Sequence, residues 1–220
     1  FSVDPVLGNV EDMRRLTNAA HKRGMRVILD FVPSHLSRNH PAFEAARTDP
    51  DAHTRDWFIF YQWPNRYRSF LDMVPSLVSL NTESQGVREH LISSAKFWME
   101  CGIDGFRLDH VIGHGMDFWV EFQSALEAVN PEVATIGEAT DTGDALRRYH
   151  GRISGVLDFP IARALRLTFG TGDWSLAELD NFLDLYDDYM TPGPARVGFL
   201  DNHDMDRFLY VAGQDHDSLK

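Results

Sequence analysis

Gly102-Ile103-Asp104-Gly105-Phe106-Arg107-Leu108-Asp109 reads as one short apolar strand entered through a glycine and closed by an acid. The sequence on either side of it reads as helix. Upstream, Thr82-x-x-Gln85 has the form of a capping box, and Val87, Leu91, Ala95 and Met99 follow at helical spacing. Downstream, Phe118, Phe122, Leu126 and Val129 define a second helix that must stop before Pro131. The same alternation extends in both directions. A helix over residues 9–23 carries Val10, Met13, Leu16 and Ala20, ends at Gly24, and leads into residues 25–31, short, aliphatic and suited to a buried parallel strand. Strands are predicted again over 133–138, 153–158 and 196–201. Between them lie a short helix over 142–149 and a helix opened by the Ser175-x-x-Glu178 capping box, running through Leu179, Phe182, Leu183 and Tyr186. Strands alternating with helices in this way imply an α/β fold, a parallel sheet with helices outside it.

Residues 36–81 break the rhythm. They are rich in proline, aspartate and aromatic residues, with no sustained period, and are too long for a plain loop. The organisation read from the sequence is therefore α/β over 1–35, an insertion over 36–81, and α/β again over 82–220.

Composition narrows the functional class. The 220 residues carry a net charge of −12, with 43% hydrophobic and 25% charged residues, which suits a packed globular chain and not a disordered one. An acidic balance argues against a nucleic-acid partner. No run approaches the ~18 apolar residues of a membrane span, so no membrane partner is expected. The single cysteine, Cys101, cannot form an internal disulfide. The chain opens on Phe1 and not Met, and closes on the polar run 211–220. It therefore reads as a piece of a longer protein, which leaves localisation and oligomeric state open.

Each predicted strand ends in acids or histidine: Asp30 with His35 beyond it, Arg107 and Asp109, Glu138, Asp158, and finally Asp201, Asn202, His203 and Asp204. In a parallel sheet all carboxyl ends lie on one face, where active sites form. Arg107 and Asp109, two apart on a strand, share a face, and a guanidinium there favours the charged carboxylate that a nucleophile needs. Glu138, rising from an apolar strand, suits a proton donor. Paired acids of this kind are the machinery of glycoside hydrolysis. The spacing of Arg107 and Asp109 alone also allows a core ion pair.

Four runs, Asp30-Phe31-Val32-Pro33-Ser34-His35, Gly105-Phe106-Arg107-Leu108-Asp109, Ile136-Gly137-Glu138 and Phe199-Leu200-Asp201-Asn202-His203-Asp204, resemble in order and spacing the four signature segments of the alpha-amylase family of retaining glycoside hydrolases. Residues 77–83 resemble a fifth motif of its neopullulanase and cyclomaltodextrinase branch. The resemblance implies an incomplete (β/α)8 TIM barrel with about five of its eight strands, beginning just after the second and ending past the seventh, and a short B-domain insertion after the third. It further implies a hydrolase or transglycosylase acting on α-glucans such as starch and maltodextrins by double displacement. Asp109 matches the nucleophile, Glu138 the general acid/base and Asp204 the third acid. Arg107, His35 and His203 match substrate-site residues, and Asp30 a structural acid. Ser34 stands where the family usually has an asparagine that often ligates calcium. No cofactor is required on this reading, and a structural calcium site is predicted to be absent or weak. Aromatic rings of the insertion are candidates for stacking on sugars or for a small subdomain core. Two other readings remain at this stage. One is a catalytically silent relative acting as a binding subunit. The other is a metal-dependent barrel hydrolase using Asp30, His35, Asp109, His203 and Asp204, which lacks a His-x-His pair and leaves Arg107 beside the metal.

Overall fold

The computed structural model describes residues 1–215, so the end of the polar run 211–220 lies outside them. The chain divides into two compact units, Phe1–Thr135 and a second from Ile136 onward.

In the first unit, helix α1 (Val10–His21) starts on a reciprocal capping box. Asn9 Oδ1 accepts from the Glu11 and Asp12 N–H groups, and Asp12 accepts from the Asn9 N–H at 2.9 Å. Gly24 at φ +71° turns the chain towards β1 (Ile28–Phe31), which is shorter than the predicted 25–31. The apolar row of α1 does not supply its anchor: Leu16 is exposed, and the buried residue is Thr17, whose Oγ1 donates to the Cys101 carbonyl at 2.8 Å. The insertion follows as β2 (His35–Ser37), α2 (Pro41–Thr48), β3 (Phe60–Gln62), β4 (Arg66–Tyr67), β5 (Ser69–Phe70) and β6 (Val74–Ser79). Strands β2, β6 and β5 form one antiparallel sheet, and β3 and β4 form another. Helix α3 (Gln85–Glu100), β7 (Gly105–Leu108) and α4 (Met116–Glu127) restore the α/β alternation.

β1 and β7 pair in parallel, with Asp30 opposite Arg107 and Phe31 opposite Leu108. The expectation of a fully buried first strand needs correcting. Ile28 and Val32 are exposed, because among the described residues β1 has a ladder neighbour on one side only. Behind the pair, Phe31, Phe106, Phe118, Trp119, Phe122 and Leu126 make a buried aromatic core. The buried row of α3 is Val87, Leu91, Ala95 and Met99, as its spacing predicts. Its cap is not. The helix starts after Ser84, and Thr82 points its hydroxyl at His114 Nδ1 (3.2 Å) while its carbonyl accepts from Arg88 Nε. The real turn is made by Asn81, whose Oδ1 and carbonyl take the Glu83 and Ser84 N–H groups.

Strand β8 (Ala134–Gly137) runs across the boundary. In the second unit its Ile136 and Gly137 pair in parallel with Gly155 and Val156 of β9 (Gly155–Leu157), and β9 pairs in parallel with β10 (Ala195–Val197). Helices α5 (Gly143–Arg147), α6 (Phe159–Leu165), α7 (Leu176–Met190) and α8 (Phe208–Val211) complete this unit. The Ser175 capping box is present as read, with Ser175 N–H donating to Glu178 at 2.7 Å. β10 stops at Val197 and does not reach residue 201. The Val197 carbonyl accepts the last ladder bond, from Asp158 N–H, after which the chain turns away to cap α8.

Candidate active site

The carboxyl ends of β1 and β7 carry the acids of the first unit. Arg107 and Asp109 project from the same side of β7, as the period of two requires. Arg107 Nη1 donates to Asp109 Oδ1 at 2.7 Å and to Asp30 Oδ1 at 2.8 Å. The Arg107 side chain is 14% exposed and that of Asp109 20%, so this pair sits in a partly dry environment while Asp109 still reaches solvent, and the Asp30 side chain is 54% exposed. A charge-assisted bond of this kind fixes the direction of the carboxylate.

His35 opens β2. Its Nδ1 lies 2.8 Å from Ser34 Oγ, which leaves Nε2 for another partner. Burial holds the His35 imidazole below its ordinary pKa, and the negative charge of Asp109 opposes that shift. His110, directly after Asp109, adopts φ +43°, a left-handed conformation uncommon for a residue with a Cβ. A cavity of about 250 Å³ lies nearby, lined by Ser34, Arg68, Phe70, His110 and His114 among others. His114 is deeply buried there, and burial pushes its pKa down to about 4.

In the second unit, half-buried Glu138 directly follows β8. His203 and Asp204 lie on the loop after β10, with His203 Nε2 3.3 Å from Asp204 Oδ2 and both side chains more than three-fifths exposed. That loop is braced by Asn202, already among the strand-end residues, and by Arg166, which strand-end reading does not single out. Arg166 Nη1 donates to the carbonyls of Leu200 and Asp206, both at 3.0 Å, and Asp204 N–H donates to Asn202 Oδ1. An arginine in a helical run carries no local sign of this task.

Two strand-end acids have structural work. Asp158 is fully buried, caps α6 through the Ile161 N–H, and accepts from Tyr186 Oη at 3.1 Å. Asp201 accepts from the Phe208 N–H and Arg207 Nη1, both at 2.7 Å, and the backbone bond at the start of α8 holds its carboxyl below the ordinary range. The insertion's rings divide in a similar way. Phe43 and Phe58 are buried, and Phe43 packs against Phe58, Phe60 and Tyr67, a small core.

Calcium takes six to eight oxygen ligands, and Ser34 offers one short hydroxyl where the family resemblance implies an amide oxygen. The Ser34 hydroxyl is engaged with His35, and the neighbouring cavity is lined by Arg68 as well as by Asp72, Asn81 and Glu83. Among the described residues no group of three or more His, Cys, Asp or Glu side chains is placed to hold a metal ion.

A family model described as the alpha amylase catalytic domain matches residues 1–220. The chain is 37% identical over 213 residues to alpha-amylase 2 of Dictyoglomus thermophilum, covering 96% of this chain and 37% of that protein. It is 32% identical to neopullulanase 2 of Thermoactinomyces vulgaris, covering 97% of this chain and 38% of that one. The solved structure of an alpha-amylase from H. orenii matches with a TM-score of 0.86 at 26% identity, over 99% of this chain and half of that one. The chain thus spans about two fifths of the length of these curated relatives.

Proposed function

Because the chain belongs to the alpha-amylase family of glycoside hydrolases and carries five parallel strands of its (β/α)8 barrel, we propose that it supplies the catalytic acids of a retaining enzyme that cleaves or transfers α-glucosidic bonds in α-glucans and malto-oligosaccharides. Asp109 is the nucleophile in this reading, Glu138 the general acid/base and Asp204 the third acid. Arg107, His35 and His203 bind and orient the sugar.

The observation that carries the reading is the Asp30–Arg107–Asp109 bridge. It aims a charged carboxylate off the end of β7 and leaves it partly open to solvent, as attack on an anomeric carbon demands. A proton donor must then serve the leaving oxygen, and Glu138 stands at the same end of its own strand. The same bridge weighs against a metal-dependent hydrolase, because Arg107 occupies the two carboxylates such a site would need. The presence of all three acids weighs against a silent binding subunit. Incubating the intact protein with maltoheptaose, pullulan, cyclodextrin and sucrose, and identifying the products, tests the reading. Release or transfer of glucosyl units with retained α configuration is expected. No turnover of any of them, or β-configured products, would overturn it.

Calcium is not required in this proposal, for the reasons of ligand chemistry given above. Melting the intact protein with and without a strong chelator is expected to give superimposable transitions. A fall of many degrees on chelation would mean that other oxygen ligands build a site.

A further inference from the structure

We propose that Phe70, on the insertion and outside the four motifs, is a positioning residue that fixes the imidazoles of His35 and His110 beside Asp109. Its ring centroid lies 4.7 Å from that of His35, tilted by 50°, and 4.7 Å from that of His110, edge-on at 75°. One side chain of β5 therefore touches both a residue assigned to the sugar site and the residue that follows the nucleophile. This deepens the functional reading above and rests on it.

The backbone around the contact is unusual. Among the described residues four non-glycine positions have positive φ, and three of them are Leu71 (53°), Asp72 (54°) and His110 (43°). Leu71 and Asp72 form the two central positions of a tight turn closed by Met73 N–H on the Phe70 carbonyl at 3.2 Å. Turns with both central residues left-handed normally use Asn and Gly, and a leucine there is a true outlier. Such conformations persist only where the surroundings over-determine them, and they gather at functional sites. Here the strained turn sets the Phe70 ring, and the ring packs against the strained residue at the exit of β7.

Ring contact gives each histidine a defined plane. For His35 the Ser34 hydroxyl lies at Nδ1, and the Phe70 ring, tilted by 50° against the imidazole, opposes the rotation that would exchange Nδ1 with Nε2. The same ring keeps water from His35, whose depressed pKa comes chiefly from burial, with Asp109 opposing and His110 adding to the shift. Orientation of this kind is worth most in the transition state, so its loss should fall on kcat more than on KM.

The experiment compares Phe70→Leu and Phe70→Tyr in the intact protein, with Phe60→Leu as control, since Phe60 belongs to the separate ring cluster on Phe43. Phe70→Leu should lower kcat by about tenfold or more, the scale of a small misplacement of a positioned group, with KM little changed. The acid limb of its pH profile should move to higher pH as His35 regains water. Phe70→Tyr should restore both, and Phe60→Leu should change neither, whatever it does to Tm. Imidazole NMR titration gives a readout that does not need turnover: the His35 and His110 resonances should shift together in Phe70→Leu. Phe70→Met replaces leucine if that variant unfolds. A wild-type kcat, pH profile and pair of histidine titrations in Phe70→Leu would overturn the proposal. A wild type inactive on every α-glucan, with the two histidines still coupled through Phe70, would instead sink the functional reading alone.

Discussion

Asp109→Asn in the intact protein is expected to lower kcat on α-glucans by at least about a thousandfold, the scale seen when a group acting in the transition state is removed. The fold should survive, because Arg107 keeps Asp30 as a partner at 2.8 Å and asparagine fills the same volume. The stereochemistry of rescue separates the two acids more sharply than rate. In Asp109→Gly supplied with an activated α-glucosyl donor, azide can occupy the space of the missing carboxylate. It attacks the anomeric carbon as the leaving group departs, one inversion, giving a β-glycosyl azide. In Glu138→Ala the nucleophile remains, so azide attacks the glycosyl-enzyme ester and releases Asp109 as carboxylate. Two inversions give the α-glycosyl azide. Equal azide products from both variants, or full activity in Asp109→Asn, would show that the roles are wrongly assigned.

The sequence made the helices and the barrel strands readable wherever one local rule sufficed. Four apolar residues of α3 fall on one face and are buried as a set, and the Ser175 box forms as written. Thr82-x-x-Gln85 satisfies the same rule on paper, yet Asn81 and Ser84 make the turn. Thr82 is drawn away by His114, 32 residues later, a partner no local pattern reveals. The insertion is opaque for a related reason. Its sheet pairs His35 with Ser79 and Ser69 with Val78, partners 44 and 9 residues apart that no periodicity within either strand reveals.

Strand-end acids carry the deeper ambiguity. Asp109, Asp158 and Asp201 all follow apolar runs, but Asp158 is sealed beneath Tyr186 as a helix cap, and Asp201 holds the first turn of α8. Aspartate suits all three tasks, because a carboxylate that accepts backbone N–H groups well also makes a good nucleophile when left open. Only the surroundings distinguish them. Arg107 takes one oxygen of Asp109 at the half-open end of β7, whereas Asp158 is fully buried and its Oδ1 is taken by both the Ile161 N–H of its own helix and Tyr186 Oη.

Gly105→Ala should be the most damaging single methyl in the first unit. Gly105 is buried at the start of β7, opposite Ile28, and a Cβ built on it would lie 2.2 Å from the Ala134 carbonyl oxygen and 3.0 Å from the Ala134 Cβ. Flexible side chains yield to such a clash, but here the obstacle is backbone. Ala134 is tied in turn by its N–H to the Asp104 carbonyl at 3.2 Å. Relief requires β7 to move, and β7 carries Arg107 and leads into Asp109, so stability and activity should fall together. Overpacking of this severity costs about 3 kcal/mol or more, which for a chain of this size lowers Tm by roughly 5 °C or more. Gly24→Ala is the matched control. Gly24 has φ +71° but nothing within 4 Å of the new Cβ, so the substitution pays only the left-handed backbone penalty of about 1–2 kcal/mol. Thermal denaturation and turnover of both variants decide the matter. If Gly105→Ala melts no lower than Gly24→Ala and keeps its kcat, the close approach of Ala134 does not constrain β7, and the strand's hold on Asp109 must come from the Arg107 bridge alone.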